Sequence, residues 1–147
     1  MKDFTGRDGW IEWQGTRYKT ILDAAENGGA MSIVDSWSPV GSGPPRHVHA
    51  AEDETFVILT GACKVWMAGE EKVLNAGESI FIPRGIEHTF KVIGDEPSRH
   101  LVILTPGGFE GFFAEMAKGQ FAIPADMGAI VEAGERHNMT FTGPPLE

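Results

Sequence analysis

The sequence predicts an all-β protein, an antiparallel barrel or sandwich, with short helices near its C-terminal end. Three observations lead there. Short apolar or alternating runs recur along the chain: AMSIVDSW (30–37), ETFVILTG (54–61), SIFIPRG (79–85) and RHLVILTPGG (99–108). Turn-forming residues separate them, and Gly and Pro make up 28 of 147 residues (19 Gly and 9 Pro), which favours many short elements over a few long helices. After residue 108 the apolar period changes from that of a strand to that of a helix.

Each element follows from its local pattern. WIEWQGTRYKTIL (10–22) adds two strands ahead of the first run. GSGPP (41–45) must be a loop, and CKVWMAGEEKVLNAGES (63–79) reads as a hairpin around Gly69. HTFKVIGDEPS (88–98) is a strand followed by a turn. In GFEGFFAEMAKG (108–119), Phe109, Phe112, Phe113 and Met116 fall at helical spacing. Pro124 stands where helices begin, ahead of Met127, Ile130, Val131 and Gly134. The two short helices, within about 109–136, are expected to pack over one end or face of the sheet. No repeat or low-complexity segment interrupts the chain, so residues 1–147 are read as a single domain.

Charge and cysteine content narrow the function. The formal charge is −9, with no basic stripe, which argues against a nucleic-acid partner and against an anionic membrane surface. Cys63 is the only cysteine and lies in an alternating apolar run, where a buried structural thiol is expected. The first ten residues carry no apolar signal-like run, and no run approaches the length of a membrane span; the expected compartment is the cytoplasm.

Chemistry concentrates in PPRHVHAAEDETF (44–56). In a strand His47 and His49 face the same side, and Pro44 and Pro45 favour an extended entry. Glu54 shares a face with Phe56 and Ile58; if that face is the interior, its carboxylate is buried and a cation would relieve the cost. Glu52 and Asp53 are read as solvated turn residues. Downstream, in PRGIEHTF, Gly85 gives a turn and His88 enters the next strand on the face of Phe90. Three histidines and Glu54 form a plausible set for Fe, Mn, Ni, Cu or Zn, with positions left for water or substrate. His100 is expected at a surface or strand end, and His137 at a helix end, where it suits the dipole. Trp37, Trp66, Phe56, Phe81 and Phe90 are expected in the core. Arg46 and Arg84 flank the histidines, where they would meet an anionic substrate at the rim or serve as plain surface residues.

These residues resemble the two motifs of the cupin superfamily. The first is matched by Gly41, five residues, His47, Val48, His49, four residues, Glu54, six residues and Gly61. The second is matched by Gly77, Pro83, Gly85 and His88, with Val92 in place of its final Asn. The resemblance covers about residues 30–105 and implies a cupin-type antiparallel β-barrel (a double-stranded β-helix, or jelly roll) with one metal site. It implies a divalent transition metal (Fe, Mn, Ni, Cu or Zn) held by His47, His49, Glu54 and His88, with Glu54 also the catalytic base. The chain looks most like the quercetin-dioxygenase-like oxygenases, which implies a small phenolic or enolisable substrate. Two alternatives fit the same ligands: a metal-dependent lyase, isomerase or decarboxylase, and a non-catalytic module that binds a small ligand. Small cupins often dimerise, so a homodimer is expected, with Trp10 and Trp13 as candidates for its interface.

Overall fold

The structure, a computed structural model, describes residues 9–147. β1 (Ile11–Trp13) and β2 (Thr16–Leu22) form a hairpin, followed by β3 (Ser32–Ser38), β4 (Pro45–His49) and β5 (Asp53–Thr60). β6 (Ala62–Met67) and β7 (Glu70–Asn75) form the hairpin expected around Gly69. β8 (Ser79–Ile82), β9 (His88–Ile93) and β10 (Ser98–Thr105) complete the central run. Two helices, α1 (Glu110–Gly119) and α2 (Met127–Arg136), precede a last strand, β11 (Met139–Pro145).

The strands form two antiparallel sheets, one of six strands in the order β1-β2-β3-β10-β5-β8 and one of five in the order β11-β4-β9-β6-β7. Apart from the β1-β2-β3 run and the β6–β7 hairpin, consecutive strands fall in different sheets, as β4 and β5 do, so the chain winds between two layers in jelly-roll fashion. Burial alternates along β5 and β10, with Glu54, Phe56 and Ile58 inward on one and His100, Val102 and Leu104 inward on the other. Each fully buried aliphatic side chain contributes about 1.5–3 kcal/mol relative to exposure.

The helices extend that core. Phe112 and Met116 of α1 and Ile130 and Ala133 of α2 are buried in it. Trp13 packs edge-on against Phe112 and donates its Nε1 hydrogen to the Phe121 carbonyl at 2.8 Å. Trp13 is thus a core residue of its own chain, with little surface left for the interface expected of it. At the far end of the helical pair, Glu115 of α1 accepts from Arg136 at 2.7 Å and pairs with His137.

Two glycines are required by space. Gly61, which closes the first motif, has φ +77°, and a Cβ there would lie 2.5 Å from the Pro97 carbonyl oxygen. A Cβ on Gly43 would meet the Phe90 carbonyl oxygen at 1.9 Å.

Several expectations need correction. Phe81 is 56% exposed, because it occupies the outward parity of the edge strand β8 while Ile82 fills the core. Trp37 and Trp66 are half-buried on outer faces, under the guanidinium groups of Arg17 and Arg46 respectively. The second helix begins at Met127; residues 123–126 form a turn in which the Asp126 carboxylate accepts from the Ala122 amide. Strand β11 was not expected at all. Its MTFTGPP sequence reads as a tail, but an edge strand tolerates proline because its outer amides need no partner. Among the described residues, no helix is long and apolar enough to cross a membrane.

Candidate metal centre

His47 and His49 occupy the inward parity of β4, and His88 opens β9 directly opposite His47. The three rings pack with centroids 4.4–5.4 Å apart, and one ring nitrogen from each lies within 4.8 Å of the others. Glu54 reaches the same point from β5 of the opposite sheet. Its Oε2 lies 3.2 Å from His49 Nε2 and its Oε1 lies 3.4 Å from His88 Nε2. The structure therefore brings together all four residues singled out in the sequence, three from one sheet and one from the other.

Hydrogen bonding fixes the ring tautomers. His47 Nδ1 lies 2.8 Å from the Pro45 carbonyl oxygen, and His88 Nδ1 lies 2.9 Å from that of Ile86. A carbonyl can only accept, so both Nδ1 atoms carry protons and both Nε2 atoms of the neutral rings present lone pairs. The His88 lone pair faces a carboxylate oxygen, and His88 Nε2 is a buried polar atom with no hydrogen-bond partner among the described residues. Two facing lone pairs repel unless a proton or a cation lies between them. Imidazole nitrogens beside a carboxylate suit a first-row divalent ion, so the residues present fit the metal that the fold family implies.

The electrostatics follow from burial. Burial, reinforced by His88 and His49, pushes the His47 imidazole down to about 3. Burial would lower His49 too, but the Glu54 and Glu52 carboxylates outweigh it and push that ring up to about 9. Burial would raise Glu54, but His49 and His88 hold it well below the usual carboxylate range. Without metal, Glu54 and His49 thus form a buried ion pair, and His47 is neutral.

Two residues read as peripheral prove to belong here. Glu52, expected in a solvated turn, is 6% exposed, with its Oε1 3.5 Å from His49 Nδ1. The short β4–β5 connection folds inward, and the i, i+3 spacing from His49 was the available signal. His100, expected at a surface or strand end, is 1% exposed and lines the cavity into which the metal centre opens. Its parity with Val102 and Leu104 in SRHLVIL was the signal there. Asp53, in contrast, is only half-buried, and its carboxylate is bound by Arg84 through the backbone amide at 2.9 Å and the guanidinium at 3.2 Å. Arg84 also donates to the Thr105 carbonyl, and Arg46 donates to that of Pro144 at 2.7 Å while covering Trp66. Both arginines are committed to the barrel's exterior. His137 caps the end of α2, as expected, and Cys63 is buried, its thiol donating to Ser98 Oγ. Val92, the departure from the second motif, is wholly buried in the core of β9.

The centre opens into a cavity of about 450 Å³, a size suited to a small molecule. Six phenyl rings line it, Phe56 and Phe90 from the sheets, Phe109, Phe112 and Phe113 from the helical segment and Phe141 from β11.

Comparison with known proteins agrees with this architecture. A cupin domain family model matches residues 38–104, which include every candidate ligand. Quercetin 2,3-dioxygenase of Bacillus subtilis is 31% identical over 100 residues, 67% of this chain but 29% of that protein. The matched segment thus spans well under half of the dioxygenase. Among solved structures, KdgF from a Halomonas species superposes with a TM-score of 0.64 at 18% identity, covering 74% of this chain and 96% of that one. A predicted oxalate decarboxylase from Thermotoga maritima gives a TM-score of 0.61 at 20% identity, covering 72% and 99%. Two facing antiparallel sheets, a histidine cluster between them and both motifs in place define a β-barrel of the metal-site type. The chain belongs to the cupin superfamily, and in sequence its barrel is quercetin-dioxygenase-like.

Proposed function

We propose that this cupin is a metal-dependent, dioxygenase-like enzyme that acts on a small phenolic or enolisable molecule. The observation that carries the reading is the pair of Nε2 lone pairs, on His47 and His88, converging with Glu54 at the floor of an aromatic cavity. His47, His49, Glu54 and His88 would hold the ion. Once bound, the ion would supply Lewis acidity toward a phenolate or enolate oxygen and a centre for oxygen chemistry.

The chain's own residues prepare the substrate. Phenyl rings lining the cavity exclude water and offer flat faces to a planar molecule. Glu54 is the ionised carboxylate nearest the open volume, and an Oε atom would take the substrate's hydroxyl proton. The fixed tautomers of His47 and His88 keep their Nδ1 protons on backbone carbonyls, out of that transfer. The resemblance to a quercetin dioxygenase supports the reaction class.

The test is dioxygen uptake by purified, metal-loaded protein with a flavonol, a catechol and a diketone. Uptake with stoichiometric loss of substrate supports the proposal, and no uptake with any of them overturns it. Product formed under strict anaerobiosis would instead assign lyase, isomerase or decarboxylase chemistry to the same four residues. Tight binding that leaves the ligand unchanged for hours would assign a binding module.

A further inference from the structure

Away from the metal centre the inner wall of the cavity carries a polar row with no part in holding the ion. Tyr18 of β2 pairs with Ser36 of β3, and Ser36 pairs with His100 of β10. All three line the cavity. Ser36 and His100 are almost wholly buried, at 2% and 1% exposure. Adjacent strands lie about 4.8 Å apart, so the row spans roughly 10 Å across one level of the sheet. On β5 that level is marked by Ile58, opposite His100, whereas Glu54 lies opposite Leu104. Four residues of strand, about 13 Å, therefore separate the row from the metal level. The rings of Phe56 and Phe90 line the interval, both edge-on to His100, at 5.4 and 5.1 Å.

We infer that His100, Ser36 and Tyr18 form a second polar subsite, which takes the far oxygen substituent of an elongated planar aromatic ligand whose near oxygen lies at the His47–His49–Glu54–His88 centre. The inference deepens the proposed function and rests on it for the placement of the near oxygen. Hydrogen bonding equips His100 as a donor. Cys63 donates to Ser98 Oγ at 3.3 Å, and Ser98 Oγ lies 3.5 Å from His100 Nδ1. With the thiol as donor to Ser98 Oγ, the serine proton can turn to Nδ1, an arrangement in which the neutral imidazole carries its proton on Nε2. Burial keeps the ring neutral by pushing it down to about 4. Burial also pushes the Tyr18 phenol up, so its hydroxyl keeps its proton. Two donors and a serine hydroxyl at one level of the wall fit a carbonyl or hydroxyl oxygen. Tyr18 is itself stacked on Phe113 at 4.4 Å, which aligns the polar row with a flat aromatic wall.

The experiment compares two probes by quenching of tryptophan fluorescence, since Trp13 lines the cavity. 3-Hydroxyflavone carries its oxygens on the central ring alone; quercetin adds hydroxyls on both outer rings. A site built to hydrogen-bond a distant oxygen should favour quercetin in the wild type, and His100→Leu should reduce that preference about tenfold while leaving 3-hydroxyflavone within about twofold. Tyr18→Phe and Ser36→Ala each remove one oxygen atom with little change of volume, and each should reduce the preference about threefold or more. Equal losses for both probes, or an unchanged preference in all three variants, overturn the subsite. So does failure of both probes to bind the wild type. Metal-free protein is measured in parallel. A His100-dependent preference with no dioxygen uptake by the loaded protein keeps the subsite while the oxygenase reading falls.

Discussion

His49 Nε2 lies 3.2 Å from Glu54 Oε2, an imidazole of one sheet against a carboxylate of the other, with both side chains more than nine-tenths buried. A buried carboxylate needs a compensating positive charge. In the metal-free protein the proton on His49 provides it, since the ring is pushed up to about 9. A divalent ion would take the place of that proton.

Metal binding at neutral pH should therefore release about one proton, from His49. His47, pushed down to about 3, has none to give at that pH beyond its Nδ1 hydrogen, which stays on the Pro45 carbonyl. Titration calorimetry at pH 7 in buffers of differing ionisation enthalpy measures this number. A value near zero would show that His49 is neutral before the ion arrives.

The same groups set the pH dependence of stability without metal. The folded His49 binds its proton up to about 9 against 6.5 for a free imidazole. Its stabilising contribution is complete below pH 6.5 and is lost as pH rises through about 9. His47 and His100 act in the opposite sense. Their folded values are about 3 and 4, so below pH 6.5 the unfolded chain takes up two protons that the folded chain refuses. Glu54, held low, adds to this acid loss. Stability should peak near pH 6.5 and fall more steeply toward acid, each proton contributing up to about 1.4 kcal/mol per pH unit. Urea melts of metal-free protein from pH 4 to 9 give the curve, and a flat or alkaline-shifted maximum would refute the charge assignment.

His47→Ala and His88→Ala each remove one convergent Nε2 and should reduce bound metal at least tenfold, abolishing the rise in melting temperature that added metal gives the wild type. Arg84→Ala breaks the exposed pair with Asp53 and a bond to the Thr105 carbonyl, away from the histidines, and should leave metal content unchanged with little loss of stability. Elemental analysis and thermal melts with and without metal distinguish them; equal metal in all three variants would mean that the histidines are not the ligands.

The barrel and its centre were legible because both depend on local signals. Strand parity placed His47 with His49 and Glu54 with Phe56, and both parities hold in the structure. The glycine that closes the first motif is likewise local in its φ of +77°, which disfavours a side chain whatever surrounds it. What stayed hidden depends on the fold's long-range pairing. Strand β11 lacks an apolar run and is defined by its place beside β4. The outward turn of Phe81 follows from β8 being an edge strand, which no short window reveals. His100 followed the parity of its strand, but an isolated histidine in an apolar run gives no sign that an aromatic cavity will surround it.

Glu52 is the case where the structure reverses the expectation, and the consequence can be measured. Its carboxylate is buried and sits 3.5 Å from His49 Nδ1, the ring nitrogen facing away from Glu54. Among the described residues neither His49 Nδ1 nor Glu52 Oε1 has any other hydrogen-bond partner, so the two atoms depend on each other. With a cation at Nε2, Nδ1 must carry the ring proton, and Glu52 is the acceptor placed to hold it and so to orient the ring. Glu52→Ala should weaken metal affinity about 10–100-fold, the range for loss of a carboxylate behind a ligating histidine, and Glu52→Gln should recover part of it because the amide oxygen still accepts. Asp53→Asn, one residue along and facing Arg84, should leave metal affinity unchanged. Competition with a chelator of known affinity ranks the variants. A Glu52→Ala protein that binds metal as tightly as the wild type would return Glu52 to the role of a turn residue.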